Sequence, residues 1–191
     1  MAIARLAEAQ HNVVSLTQLN ALGLGKGAVA KRAARGRLHR IHRGVYAVGH
    51  GRLTRQGHWM AAVLAYGPSA VLSHRSAAAL WGLRPDNRAT TDVSLPSRSA
   101  RSRPGIDVHV TVTLTAADVT RRDGIPCTAL ARTLLDLAEA VDRRGIERAI
   151  EQAEVLRLFD LRASRTSSTG RTGGAARPYC EPCSLTSPSP P

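Results

Sequence analysis

Ile3, Leu6 and Ala7 fall on one face at helical spacing, so residues 2–10 predict a short first helix, with His11–Val14 extended after it. Ser15 or Thr17 can cap a second helix carrying Leu16, Leu19 and Leu22, and Gly23 supplies the left-handed residue that ends it. Leu24-Gly25 then forms a turn. From Lys26 to Arg35 a third helix turns Val29 and Ala33 inward and puts Ala28, Lys31, Arg32 and Arg35 on the opposite side. Gly36 closes it, and Leu38–Ile41 and Val45–Val48 predict two strands joined by His42-Arg43-Gly44. Three small helices followed by such a hairpin describe a winged helix-turn-helix.

Past residue 50 the pattern mixes helix and strand. A helix over about 54–66 buries Trp59, Val63 and Leu64, Ala70–Leu72 is extended, and Ser73 can cap a helix running through Trp81. Asp92–Leu95, Ile106–Val110 and the stretch around Val119–Cys127 have strand character, and Pro96–Pro104 is a loop. Two amphipathic helices follow: Thr128–Ala140, presenting Leu130, Leu134, Leu137 and Ala138, and Asp142–Leu158, presenting Ile146, Ala149, Ile150, Ala153 and Leu156. After Leu161 the chain is Ser, Thr, Gly, Pro and Arg without apolar period, which predicts disorder. So abrupt a change fits a frameshift that replaced a longer C-terminus. The expected fold class is α+β. It comprises a winged helix-turn-helix over residues 1–50, a small mixed α/β domain over 51–160 ending in the two helices, and a tail over 161–191.

Charge adds a partner to this picture. The 191-residue chain carries 27 Lys and Arg against 14 Asp and Glu, a formal charge of +13, which favours a polyanion. The asymmetry is steepest at the front, where Met1–Met60 holds ten basic side chains and one acid, Glu8. The third helix offers Lys31, Arg32 and Arg35 for phosphates and base edges of double-stranded DNA, and the hairpin offers Arg37, Arg40 and Arg43 for phosphate anchoring, with Arg43 at the tip suited to the minor groove. The bland alternative is a set of solvated faces. The longest apolar run, Met60–Tyr66, is far shorter than the roughly 20 residues of a membrane span, so no membrane role is expected. Three unevenly spaced cysteines, Cys127, Cys180 and Cys183, do not make a disulfide framework, and a reducing cytoplasm fits best.

Catalytic and metal chemistry find little purchase. His39, His42, His50 and His58 have no Cys or acid at matching short spacing, and Cys180-Glu181-Pro182-Cys183 lacks a second pair, so no metal and no cofactor are expected. His74, at a helix start, reads as capping or packing. A restriction-type nuclease places an Asp and an Asp or Glu on a metal and commonly adds a lysine two residues after the second acid; no lysine follows Lys31, and neither Asp92 nor Asp107 begins such an element. The chain is therefore expected not to be an enzyme.

The run VVSLTQLNALGLGKGAVAKRAARGRLHRIHRGVYAVGHGRLT resembles the N-terminal domain of the abortive-infection (AbiEi-type) antitoxin family in its actinobacterial form, and AAVLAYGPSAVLSHRSAAALWGL with DGIPCTALARTLLDLAEA resembles the segment that accompanies it. The similarity covers about residues 3–161. It implies a type IV toxin–antitoxin arrangement, in which the winged domain represses its own promoter and the remainder counters a cognate, nucleotidyltransferase-like toxin. Similar proteins often continue into a nuclease domain akin to very-short-patch repair enzymes, which this chain is expected to lack. Two other readings stay open: a protein-interaction module whose residues 51–160 grip a toxin, and an inactive remnant of a longer nuclease.

Overall fold

The computed structural model describes residues 2–96 and 101–158. The expectations for the tail, including Cys180 and Cys183, and for part of the Pro96–Pro104 loop lie outside those residues.

Helix α1 (Ala2–Glu8) leads through His11 and Asn12, both at positive φ, into strand β1 (Val13–Ser15). Ser15 then caps α2 (Leu16–Ala21) with a reciprocal box: its hydroxyl accepts from the Gln18 amide at 3.2 Å, and the Gln18 side-chain carbonyl accepts from the Ser15 amide at 2.9 Å. Gly23, at φ +81°, turns the chain after α2, and α3 (Lys26–Ala34) begins at Gly25 with no side-chain cap. Strands β2 (Leu38–His42) and β3 (Val45–Val48) form the expected hairpin, bulged between Arg40 and His42. The hairpin is the larger part of a three-stranded sheet, because β1 adds antiparallel to β3 in the order β1-β3-β2. Ala7, Val14, Leu19, Val29 and Leu38 close the small core between these helices and strands.

Thr54 caps α4 (Arg55–Tyr66), which buries Trp59, Met60, Ala61, Ala62 and Val63. A second, five-stranded sheet is built from β4 (Val71–Leu72), β5 (Thr91–Leu95), β6 (Ile106–Val110), β7 (Val119–Arg122) and β8 (Ile125–Thr128), in the order β6-β5-β4-β8-β7. β7 and β8 are an antiparallel hairpin turned by Asp123-Gly124 at φ +49° and +76°, where sequence reading had one continuous stretch. Helix α5 (His74–Trp81) ends at Gly82 in the left-handed conformation, and α6 (Leu130–Ala140) and α7 (Arg143–Val155, capped by Asp142) are the last elements among the described residues. On α7, Ala149 and Ala153 are buried as expected, but Ile150 and Leu156 stand 40% and 41% exposed, and Ala138 on α6 is exposed too. The inward stripe of α7 is narrower than its apolar content.

The two faces of the second sheet differ in chemistry. Leu72, Val93, Leu95, Ile106 and Cys127 point with α4 into the larger core, which Val13 and Val45 of the first sheet join. Apolar packing is therefore continuous across residue 50. The His11 ring, through Nε2, donates to the Asp123 carbonyl at 2.7 Å, and a Cβ added at Gly124 would come within 3.0 Å of the Ala9 carbonyl oxygen, so the two regions meet closely there as well. The opposite face carries Asp92, Ser94, Asp107 and His109 at alternate positions. It lies under α5, against which α6 packs.

Candidate functional site

The six basic residues expected to contact DNA lie in one contiguous part of the chain, on α3 and the hairpin after it. Helix α3 buries Val29 and packs Ala33 against the small core, which fixes its rotation. Lys31 and Arg35, one turn apart, are exposed, and Arg32 is half-buried. Arg37 leads into β2 with its amide donating to the Arg32 carbonyl at 2.9 Å and its own carbonyl accepting from Gly49 at 3.1 Å, so the joint between helix and hairpin is pinned from both sides. Arg40 is exposed on β2 opposite Tyr46, and Arg43 stands exposed at the hairpin turn.

These cations keep their charge to themselves. Among the described residues none of the six side chains has a salt bridge or hydrogen bond, whereas Arg88, Arg132 and Arg143 are all paired with acids. Arg103 adds another positive group next to the hairpin, donating to the Arg43 carbonyl at 3.5 Å and lying 5.2 Å from the Tyr66 ring centroid. Burial, with Arg103 and His58 nearby, lowers the pKa of the His42 imidazole, so this ring adds less positive charge to the hairpin than a free imidazole would.

A second constellation went unread in the sequence. Arg88 reaches Asp86 at 2.8 Å, Asp107 at 3.4 Å and Asp92, and Asp92 in turn accepts from His109 at 3.0 Å and from the Ser76 amide at 3.4 Å. His109 stacks on His74 with ring centroids 3.6 Å apart, and the His74 Nδ1 is 3.0 Å from the Ser73 hydroxyl. Asp92 is 2% exposed and His74 6%. Burial raises the Asp92 carboxyl, but the His109 and Arg88 hydrogen bonds outweigh it and hold the group down at about 2. Burial is also the main reason His74 is pushed down to about 4, with His109 adding to it. These groups satisfy one another, so the network ties α5, β5 and β6 together. Packing, the role read for His74, describes it; that reading did not foresee its partners. Among the described residues no group of three or more His, Cys, Asp or Glu is arranged to hold a metal ion.

The buried imidazole gives the fold an acid-sensitive step. Unfolded, His74 takes up a proton near pH 6.5; folded, it refuses one until about 4. Protons therefore favour the unfolded chain across that window, and stability should fall by roughly 3 kcal/mol as pH drops from 6.5 to 4. Asp92 adds a later loss, as pH falls from its ordinary 3.8 through about 2. Urea midpoints against pH for the native chain and His74→Gln would check this: the variant should lose most of the first step, and an unchanged profile would refute the assignment.

Residues 1–49 of the 191 match a protein-family model described as a transcriptional regulator, the AbiEi antitoxin. The matched segment runs from α1 through β3 and so contains all six basic residues. No curated protein matches the chain. No helix among the described residues is long and apolar enough to cross a membrane.

Proposed function

We propose that this chain is a double-stranded-DNA-binding transcriptional regulator of the AbiEi antitoxin type. In this reading residues 1–50 are a winged helix-turn-helix, α2 and α3 being its helix pair and β2–β3 its wing. Helix α3 lies in the major groove, where Lys31, Arg32 and Arg35 meet phosphates and base edges. Arg37, Arg40 and Arg43 anchor the wing on the neighbouring backbone, with Arg43 at the edge of the minor groove. The uncapped amides at the start of α3 add donors for a phosphate. The observation that carries the proposal is the run of unpaired cations on one helix and one hairpin, within a segment matching a transcriptional-regulator family.

The protein acts on its own promoter, needs no cofactor and does no chemistry on the DNA. Residues 51–160 would then be the part that meets a nucleotidyltransferase-like toxin, in the cytoplasm.

Mobility shift on promoter DNA and on scrambled DNA, across a salt series, tests the DNA reading. About five phosphate contacts predict a fall in log affinity with log salt at a slope near roughly −4 to −5. Changing Lys31, Arg32 and Arg35 together to alanine should weaken promoter binding by about 100-fold and shallow the salt slope. Equal weak binding to both DNAs, untouched by the triple change, would refute the proposal.

A further inference from the structure

The connection between β5 and β6, from Pro96 to Gly105, contains no acidic residue. Its described end is fixed at several points. The Tyr66 hydroxyl, at the end of α4, donates to the Arg101 carbonyl at 2.8 Å, the Arg103 carbonyl accepts from the Ile106 amide at 3.2 Å, and the Arg103 guanidinium lies over the Tyr66 ring. Arg103 also donates through Nη1 to the Arg43 carbonyl at 3.5 Å. Part of the β5–β6 connection is thus held against the turn of the N-terminal hairpin.

Charge at this junction is one-sided. Arg101 is exposed and Arg103 half-buried, and among the described residues neither has a salt bridge. Arg103 and His58 are the charged neighbours that act on the His42 ring, and both oppose its protonation. The acids of the adjoining strands, Asp92 and Asp107, lie on the α5 side of the sheet, where Arg88 holds them. Cations crowded together without an acid repel one another in the free chain, and a polyanion relieves that repulsion. A guanidinium carries several N–H donors, so one long bond to the Arg43 carbonyl leaves Arg103 others for phosphate oxygens.

We propose that Arg101 and Arg103 are a second phosphate-binding element, which carries the wing's grip on duplex DNA past Arg43 onto neighbouring phosphates of the same strand. The inference rests on the DNA-binding reading given above and adds to it a contribution from outside residues 1–50. Continuity argues for DNA as the occupant. Arg103 bonds the backbone of Arg43, so a polyanion that meets the hairpin turn meets Arg103 as well. One strand of a duplex repeats its negative charge every ~3.4 Å of rise, so a wing anchored at one phosphate has the next within an arginine's reach. Because Tyr66 and Ile106 position the segment before DNA arrives, little ordering entropy opposes the contact. Arg101 and Arg103 then supply about two of the roughly five phosphate contacts behind the expected salt slope. Phosphate contacts carry no sequence information, so their loss weakens binding to promoter and scrambled DNA alike.

Mobility shift of the full chain across a salt series, with phosphate-ethylation interference on the promoter, tests this element. Arg101→Ala/Arg103→Ala should bind both DNAs roughly 10-fold more weakly and shallow the salt slope by about 1 to 2. It should also become indifferent to ethylation of the phosphates at the wing, while those facing α3 still interfere. Arg144→Ala/Arg148→Ala, which removes equal charge from exposed positions on α7, should bind as the native chain does. Two single variants separate charge from a structural role: Arg103→Lys should keep the native slope, whereas Arg103→Gln, uncharged but able to bond the Arg43 carbonyl, should lose about 1 unit of it. If the double variant fails to fold, Arg101→Ala decides, since its exposed side chain should account for about 1 unit of slope. A native slope and interference pattern in the Arg101/Arg103 variants, an equal loss in the α7 variant, or native binding by Arg103→Gln would overturn the inference. Where the change of Lys31, Arg32 and Arg35 weakens binding and these do not, this inference alone falls; a native chain without promoter preference takes the DNA-binding proposal down with it.

Discussion

Arg88→Ala should cost roughly 3–5 kcal/mol of folding free energy, because it strips the shared cation from carboxylates that cannot return to water. Asp86 and Asp92 are 5% and 2% exposed at the side chain, and Arg88 grips Asp86 through two bonds, Nε to Oδ1 at 2.9 Å and Nη2 to Oδ2 at 2.8 Å, as well as Asp92. Without it Asp92 keeps only His109 and Ser76, and its burial is no longer outweighed. The planar fork is what spans the site, so Arg88→Lys, with a single ammonium, should restore only part of the loss. The variant also makes a prediction of sign. A carboxyl left buried without its cation takes up a proton more readily than it would unfolded, so the Ala penalty should shrink as pH falls. Urea denaturation of the native, Ala and Lys chains at pH 8 and pH 5 measures both effects. A penalty under about 1 kcal/mol at pH 8 would mean that the cluster is solvated and the network structurally idle.

That network was the least legible part of the molecule, and the reason is specific. In Thr91-Asp-Val-Ser-Leu and Ile106-Asp-Val-His-Val, alternating polar and apolar positions predict strands with one dry and one wet face, and the strands are there. The β5 part of the wet face is covered, however. α5 lies over it, and Asp92, Arg88, His109 and His74 engage one another across separations in the chain as long as that of His74 and His109, although the buried Ser94 hydroxyl finds no partner. Periodicity reports which side of a strand is polar, not what that side faces. A local signal was also available for the β7–β8 hairpin, since Asp-Gly is among the preferred pairs for the turn it makes, yet the extended character from Val119 to Cys127 read more readily as one strand.

Near the N-terminus local chemistry and tertiary structure agree, so more could be read. Ser15-x-x-Gln18 forms its capping box, Gly23 ends α2, and α3 turns Val29 inward as its period required. The addition of β1 to the hairpin was not foreseen, because three extended residues carry no mark of the strand they will join. The basic residues were legible by sequence spacing alone. What the fold adds is that none of the six is neutralised by a neighbouring acid among the described residues, which makes them available to phosphate.

Trp59→Ala should be equally damaging, at roughly 3–5 kcal/mol for deleting a large side chain from a packed interior. Its more informative consequence is where the damage appears. Trp59 is 6% exposed in the core that Val13 and Val45 share with Met60, Leu72 and Val93, so it sits where the N-terminal sheet and the α4 side of the second sheet contribute to the same apolar cluster. If that cluster makes folding cooperative across residue 50, losing its largest member must weaken both regions together. Amide exchange in denaturant can read them separately, with Val14 and Val29 for the N-terminal region and Leu134 and Leu137 for α6. The expected result is that all four lose protection over the same denaturant range, and that the range moves downward equally for all four in the variant. Trp81, half-buried with its indole N–H donating to the Thr128 carbonyl at 3.0 Å, remains as a fluorescent reporter and should follow the same curve. Protection that persists at Val14 and Val29 after α6 has opened would instead make residues 1–50 an independently folding unit. Residues 1–50 would then need no support from the rest of the chain.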